Sequence, residues 1–256
     1  MPETNGNENT VSRPVRRRNE RTEAKFFEDV EKIIAEAENA GGEYKPPNAA
    51  AAVAALKSKR DNSLVARAAL QAGDAAEETA RNDRENFYKP MNGEITSLVN
   101  YAKSAGKKPN EIAALESIAR DVKGIRAEAV DRNDGNQHIS VANLAYVSRA
   151  DNYARFIEQY DALGIVTEED FYKASTHRDK TAAYQAANNK VIASEADANA
   201  LQEKYDKMTY TDDDSLLNAC VSSKGYIKSK FKTTGQPYKN IAKTRFVLPS
   251  RLRKKK

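Results

Sequence analysis

One long stretch decides the fold: residues 49–88 read AAAAVAALKSKRDNSLVARAALQAGDAAEETARNDRENFY. Alanine is the best helix former, and the stretch has no proline and one glycine, Gly73, which costs about 1 kcal/mol relative to alanine inside a helix. Apolar residues, among them Val53, Leu56 and Leu64, recur between charged residues at helical spacing. The sequence therefore predicts a long amphipathic helix from Ala49 to Tyr88.

Glycine and proline residues separate further helices in the first half of the chain. Residues 26–37 repeat apolar side chains every three or four positions, and Gly41-Gly42 ends this helix. Asn48 follows two prolines and is placed to cap the long helix. Two more apolar periodic segments, residues 95–101 and 112–125, predict two shorter helices.

The second half restarts this pattern after a polar linker. Residues 144–163 trace an apolar face that closes at Gly164. The sequence Thr167-Glu-Glu-Asp170 approximates a capping box, so we expect a second long helix from there to Tyr205. Apolar residues from Leu216 onward form the last helix, and no strand-like alternation appears beyond short tail fragments. The predicted fold class is all-α.

Short motifs recur in the two halves and indicate an internal duplication. Arg60-Asp61 matches Arg178-Asp179, Tyr101-Ala-Lys-Ser104 matches Tyr226-Ile-Lys-Ser229, and Gly106 with Ile112-Ala113 matches Gly235 with Ile241-Ala242 at identical separation. We therefore predict two similar antiparallel helical-hairpin units, packed as an elongated bundle with basic extended arms at both termini. The predicted organisation is a flexible basic arm (1–25), repeat unit 1 (26–130), a linker (131–140), repeat unit 2 (141–246) and a basic tail (247–256).

From Tyr153 to Phe246 the sequence resembles a set of bacterial all-helical proteins for which no activity is established. Those proteins end in Tyr-x-Lys-Ser, then a short glycine-containing turn, then Tyr-Lys-x-Ile. Here the motif is Tyr226-Ile-Lys-Ser229 followed by Gly235 and Tyr238-Lys-Asn-Ile241. The first half departs from it, with Asn110-Glu111 where the motif has Tyr-Lys. The resemblance implies a helical fold and no particular chemistry.

Composition argues against catalysis, cofactors and metals. The 256 residues include one cysteine, two histidines (His138 and His177) and no tryptophan. A single cysteine, Cys220, forms no intramolecular disulfide, and it stands too far from the histidines for the ligand spacing of a zinc site. No phosphate-binding glycine loop is present. We predict that the protein is not an enzyme, and that its core is rich in alanine and poor in large side chains.

Three features that could suggest chemistry have simpler interpretations. Asp212-Asp213-Asp214 lacks the spaced ligands of a calcium loop and is interpreted as the first turn of a helix. Consecutive residues on a helix do not face each other, so His177 has no partner in Asp179, whereas Arg60 and Arg178 are placed to form helix-surface or interhelical ion pairs. Cys220 lies among apolar residues and is predicted to be buried.

Charge is the feature that indicates a partner. The chain has 42 basic and 37 acidic residues, but residues 223–256 contain 12 Lys or Arg and no Asp or Glu. The rest of the chain is therefore acidic, apart from a smaller arginine cluster near the N-terminus. Segregated charge favours an acidic partner or a polyanion. The predicted partner-binding residues are Arg16, Arg17, Arg18, Lys224, Lys228, Lys230, Lys232, Lys239, Lys243, Arg245, Arg251, Arg253, Lys254, Lys255 and Lys256.

Two functions are compatible with this pattern. The preferred hypothesis is a structural, self-assembling protein whose basic arms dock on acidic surfaces of neighbouring copies as a homo-oligomer. The alternative is a nonspecific nucleic-acid-binding protein that uses residues 224–256, where cations alternate with Tyr226, Phe231, Tyr238 and Phe246. Two further interpretations of the tail are also open: it is merely solvated, or it docks on its own chain. The sequence has no membrane span and no apolar leader, so we expect a cytoplasmic protein.

Overall fold

The computed structural model of the chain describes residues 20–124 and 145–253, and this part of the chain is helical, without any strand. The all-α prediction is confirmed. The eight α-helices of the described residues are α1 (Glu20–Asn39), α2 (Val53–Tyr88), α3 (Met91–Ser104), α4 (Pro109–Lys123), α5 (Tyr146–Ala162), α6 (Ala174–Asp206), α7 (Leu216–Phe231) and α8 (Gln236–Ile241). Short 3-10 turns span Gly41–Glu43, Ala49–Ala51, Asp170–Tyr172 and Ser250–Leu252, and a π-helical turn spans Lys207–Thr211.

Several helix ends follow from local sequence. Gly41 and Gly164 come just after α1 and α5 with φ of +54° and +58°, a conformation that favours glycine. The Asn48 side chain accepts a hydrogen bond from the Ala50 amide at 2.9 Å, as its predicted capping role requires. The cap serves the short turn Ala49–Ala51, however, and α2 begins at Val53.

The start of α6 differs from the sequence expectation, which placed it at Thr167. The helix begins at Ala174, because the backbone before it forms the separate 3-10 turn Asp170–Tyr172, whose carbonyls are bound by side chains. The carbonyl of Phe171 accepts from the His177 ring at 2.6 Å, and the carbonyl of Tyr172 accepts from the Tyr160 hydroxyl at 3.0 Å. Thr167 still caps locally, since its hydroxyl accepts from the Glu169 amide at 3.1 Å.

The chain divides into two compact units that do not coincide with its two sequential halves. Unit 1 is residues 1–69 and 201–256, and unit 2 is residues 70–200. Within the described residues, unit 1 contains α1, the start of α2, the end of α6, α7 and α8. Unit 2 contains the rest of α2, then α3, α4, α5 and most of α6. Each unit therefore combines helices from both halves of the sequence.

The core of unit 2 is richer in aromatic side chains than the expected alanine-rich core. Tyr88, Tyr153, Phe156, Tyr160 and Tyr184 are all buried in one cluster with the apolar faces of α3, α4 and α5. Tyrosine is tolerated there because the hydroxyls find partners. The Tyr88 hydroxyl, for example, donates to the Tyr146 carbonyl at 3.1 Å and accepts from the Asn188 amide at 3.0 Å.

Unit 1 is built on α1, which packs against α7 and α8. The buried face of α1 carries the residues that the periodicity predicted: Phe26, Phe27, Val30, Ile33, Ile34 and Ala37. From α7 and α8, Ile227 and Ile241 are fully buried. This packing brings the C-terminal segment of the chain close to α1. Most of the predicted partner-binding residues belong to this C-terminal segment.

Candidate functional site

The predicted partner-binding cations fall into three groups. Arg16, Arg17, Arg18, Lys254, Lys255 and Lys256 lie outside the described residues. Lys224 and Arg251 are bound to other parts of unit 1. Most of the others, on α7, α8 and the segment after them, are exposed.

Lys224 ties the chain after α8 to α7. Its ammonium donates to the Ala242 carbonyl at 3.0 Å and to the Thr244 carbonyl at 2.7 Å. Burial lowers the pKa of Lys224, and no carboxylate supplies an ion pair within the described chain. The residue that was predicted to bind a partner therefore holds the start of the C-terminal segment, residues 242–253, which we call the C-terminal arm.

Arg251 anchors the other end of the C-terminal arm. Its guanidinium donates to Asp206 Oδ1 at 2.6 Å and, less directly, to Oδ2 at 3.4 Å. A second carboxylate oxygen, Glu23 Oε1, lies 3.7 Å from the same group, and the Tyr210 ring centroid lies 5.9 Å away. The arm thus docks on acidic residues of its own chain, which is one of the two docking arrangements that the sequence left open.

The acceptor side of this contact is a buried charged pocket. Glu23 has a side chain only 4% exposed, and neither of its carboxylate oxygens has a hydrogen bond among the described residues. Arg67 Nε lies 3.5 Å from Glu23, and the Asp206 side chain is 12% exposed. We call Glu23, Arg67, Asp206 and Tyr210 the arm-binding pocket. The pocket contains two carboxylates and one arginine, so Arg251 completes the charge balance.

An aromatic contact adds to the docking of the arm. The Phe246 ring meets the Phe26 ring edge to face at 6.0 Å. The Arg245 amide donates to Asp29 Oδ2 at 3.1 Å, while the Arg245 side chain is exposed. Arg253 is exposed as well and donates to the Leu248 carbonyl within the arm. The arm is therefore held by a small number of identifiable contacts.

The exposed lysines form the second part of the candidate site. Lys228, Lys230, Lys232, Lys239 and Lys243 are all exposed, and none makes an ion pair with the part of the chain that the structure describes. We call these five residues the cationic surface. Lys228 lies 6.0 Å from the Tyr238 ring centroid, a contact that joins α7 to α8. The surface is accessible and its lysines are not neutralised by ion pairs among the described residues, so it is suited to an anionic partner.

Two of the aromatic rings between these cations are used for packing. Tyr226 meets Tyr44 edge to face at 5.3 Å, and its hydroxyl accepts from the Lys45 amide at 3.2 Å. Phe246 contacts Phe26, as described above. Neither ring is free to stack on a nucleic-acid base.

The acidic triplet lies just before the N-cap of α7 and not in the first turn of the helix, as the sequence interpretation had it, and Asp214 has a structural role. Asp214 binds the Lys59 ammonium through both its carboxylate, at 2.5 Å, and its carbonyl, at 2.7 Å. Ser215 is the N-cap residue of α7, and its hydroxyl accepts from the Asn218 amide at 3.4 Å. Within residues 20–124 and 145–253 no group of three metal-ligating side chains is found.

His177 is occupied on both ring nitrogens. Nδ1 accepts from the Tyr153 hydroxyl at 2.7 Å, because Nε2 donates to the Phe171 carbonyl at 2.6 Å. The side chain is fully buried, and this burial lowers the pKa of His177. The neutral ring is therefore a packing and hydrogen-bonding element of unit 2. The Tyr153 partner has no sequence signal, since it comes from a different helix.

The ion pairs predicted for the two matched arginines are confirmed. Arg60 of α2 donates to both carboxylate oxygens of Glu31 in α1, at 2.8 and 3.0 Å. Arg178 of α6 binds Asp161 in α5 at 2.5 Å. Cys220 is buried as predicted, and burial raises the pKa of its thiol to about 12.

The acceptor residues Glu23 and Asp206 were missed in the sequence. A signal for Glu23 exists, because it falls at helical spacing with Phe26, Phe27 and Val30 on the buried face of α1. A carboxylate at an apolar position needs a cationic partner. The sequence did not show that this partner comes from the other end of the chain.

Comparisons with known proteins add neither a family nor a function to this geometry. In the described part of the chain no helix is both long enough and apolar enough to cross a bilayer. Neither models of protein families, nor curated proteins, nor solved structures give a match to this chain.

Proposed function

We propose that the protein is a non-enzymatic, self-assembling helical protein in which the cationic surface of one copy binds acidic residues of another copy. The observation that supports this proposal is the division of charge between the compact units. Residues 1–69 and 201–256, which make up unit 1, carry 26 basic and 16 acidic residues. Residues 70–200, which make up unit 2, carry 16 basic and 21 acidic residues. Opposite charges on two units of one chain favour association between copies.

Unit 2 offers an exposed acidic segment that fits such a contact. Glu168, Glu169 and Asp170 are exposed in the connection that leads to α6. Val166 stands beside them with 95% of its surface exposed, the highest value among the exposed large apolar side chains. An exposed apolar residue flanked by carboxylates can combine a buried contact with charge complementarity.

The internal duplication belongs to the same proposal, and repeated contacts support it. The tyrosine of each Tyr-x-Lys-Ser motif contacts a tyrosine of a connector that precedes a long helix, as Tyr226 with Tyr44 and Tyr101 with Tyr172. The matched arginines also each bind the preceding helix. If the halves are copies, the units are two versions of one arrangement whose charges have diverged in sign.

The first test is self-association as a function of salt. We expect purified protein to form oligomers in about 0.05 M salt and to dissociate towards 1 M, where the Debye length falls to about 3 Å. Static light scattering coupled to size exclusion gives the mass at each salt concentration. A wild-type chain that remains monomeric at high concentration and low salt contradicts the proposal.

Charge reversal at matched sites tests the location of the contact. The double variant K228E/K232E removes part of the cationic surface and is expected to weaken association at least about tenfold, since each charge pair that is removed is worth about 1 kcal/mol. The control K107E/K108E makes the same change in net charge on unit 2 and is expected not to weaken it. Equal weakening by both variants would show a net-charge effect.

Nonspecific nucleic-acid binding is the second candidate function, supported by the five exposed lysines of the cationic surface, for which the described residues supply no ion pair. With Tyr226 and Phe246 packed in unit 1, binding would be through phosphates and independent of base sequence. A mobility-shift titration with duplex DNA tests it. K228E/K232E is expected to reduce the slope of log K against log salt by about 2. A shift that is unchanged in this variant eliminates the candidate.

A further inference from the structure

The C-terminal arm docks in the arm-binding pocket of its own chain, and the same interaction is available between chains. We propose that in the assembled protein the arm of one copy, residues 242–253, occupies the arm-binding pocket of a second copy. This inference rests on the proposed self-association and specifies how two copies are joined. Exchange of an identical element is a low-cost route to oligomers, because the interactions broken within a chain form again between chains.

The arm has the properties that exchange requires. It lies near the end of the chain and has no regular structure between Ile241 and the short turn at Ser250. Lys224 holds its start through two backbone carbonyls, while Phe246 and Arg251 hold the remainder. An arm of this length can be released without unfolding a helix.

The arm-binding pocket is more stable when an arginine occupies it. Glu23 and Asp206 are nearly buried, and Arg67 is the only pocket cation that faces Glu23 when Arg251 is withdrawn. Unpaired carboxylates in such a site are unfavourable, so an open pocket favours the return of an arginine. Whether that arginine comes from the same chain or from another is then decided by protein concentration.

Two complementary variants separate docking within a chain from docking between chains. Both are made in the K228E/K232E background, which suppresses association through the cationic surface. R251E places a carboxylate on the arm opposite the acidic pocket, and D206K places an ammonium in the pocket opposite Arg251. Within either variant, arm and pocket repel each other. In a mixture of the two, each arm meets a pocket of opposite charge, but only on the other chain.

Native mass spectrometry and light scattering give the readout. We expect each variant alone to have the mass of the 28.4 kDa chain and the mixture to form a complex of one R251E and one D206K chain. A mixture that is the simple sum of its components overturns the inference. In the matched control, R253E replaces R251E; no mixed complex is expected, because the contact that Arg253 makes among the described residues is with the arm's own Leu248 carbonyl.

Folding of every variant is checked by circular dichroism. If R251E does not fold, R251Q replaces it, because its pocket still accepts the arginine of the D206K chain. Association of the wild type at low salt decides the proposed function, whereas the mixture decides arm exchange. If the wild type assembles but the mixture forms no complex, arm exchange is refuted and the proposed self-association is not.

Discussion

The rings of Tyr101 and Tyr172 stack face to face, with centroids 3.9 Å apart and planes only 6° from parallel. In unit 1 the matching pair, Tyr226 and Tyr44, meets edge to face at 5.3 Å. Both arrangements are favourable for aromatic rings. The same residue type thus occurs at the same kind of junction in both units, while the geometry of the contact differs between them.

The hydroxyl of Tyr44 is expected to contribute more to stability than that of Tyr226. The Tyr44 hydroxyl donates to the Ala51 carbonyl at 2.6 Å and pairs with the Ser223 hydroxyl at 2.7 Å, and both contacts are buried. Tyr44→Phe leaves these groups unpaired and is expected to cost about 1–3 kcal/mol in urea unfolding. Tyr226→Phe removes only long bonds near the surface, at 3.2 and 3.4 Å, and is expected to cost less than about 1 kcal/mol. A larger loss of stability in Tyr226→Phe than in Tyr44→Phe would contradict this expectation.

His177 is expected to make the protein less stable as the pH falls. Its pKa in the folded chain is lowered from 6.5, chiefly by burial and further by Lys180, against opposing effects of the Phe171 carbonyl and Glu94. The unfolded chain therefore takes up a proton first. This stabilising contribution is complete above pH 6.5 and is lost as the pH falls towards the folded pKa, at up to about 1.4 kcal/mol per pH unit.

Urea unfolding at pH 7.5 and 5.5 measures this loss. His177→Gln does not titrate, and the difference in unfolding free energy between the two pH values is expected to shrink. If the change in unfolding free energy between pH 7.5 and 5.5 is the same in His177→Gln as in the wild type, groups other than His177 cause it.

Arg251 and Arg253 form a matched pair of arm residues with different expected effects. Arg251→Ala removes the guanidinium that pairs with Asp206 and lies near Glu23, and it is expected to lower the unfolding free energy by about 2–4 kcal/mol. Arg253→Ala removes an exposed side chain and is expected to stay within about 0.5 kcal/mol of wild type. Both variants are measured by urea unfolding at low protein concentration, which favours the monomer. Similar values for the two would show that the arm is not anchored through Arg251.

Addition of one methyl group is expected to have opposite effects at Gly225 and Gly235. Apart from its chain neighbours and the backbone of its own helix, a Cβ at Gly225 in α7 would meet no atom within 4 Å. Gly225→Ala is therefore expected to raise stability by about 0.5–1 kcal/mol. A Cβ at Gly235 would collide with the Phe231 carbonyl oxygen, so Gly235→Ala is expected to destabilise the turn before α8. Melting temperatures that move in the same direction would refute the comparison.

The thiol of Cys220 is expected to be inert in the folded protein. It is fully buried, and its pKa is raised to about 12, so that almost no thiolate is present at pH 8. A disulfide reagent should react at least about 10³-fold more slowly with native protein than with protein in guanidinium. A fast native reaction would show that α7 opens easily.

Local rules were sufficient for much of the helical pattern. The end of α1 near Gly41, the capping by Asn48 and the buried face of α1 all depend on residues close in sequence. The two ion pairs of Arg60 and Arg178 were also predictable, because each arginine binds the helix that comes just before its own.

Contacts between distant segments were not predictable. Lys224 and Arg251, which were predicted to bind a partner, make contacts within the chain, and their acceptors lie elsewhere in unit 1. Glu23 is at the opposite end of the chain from Arg251, and charge counting alone does not distinguish a cation that docks internally from one that is free. The start of α6 was misplaced for the same reason, because His177 and Tyr160 hold the preceding backbone.

The division of α2 and α6 between the units has a consequence for synthesis on the ribosome. Unit 2 has all of its residues once residue 200 has been made, whereas unit 1 begins first and is complete last. Until α7 and α8 emerge, the apolar face of α1 lacks the two helices that pack against it, and only the start of α2 is present from its own unit. The nascent chain therefore carries Phe26, Val30 and Ile33 without these two helices through most of translation, and we expect a holding chaperone to bind there.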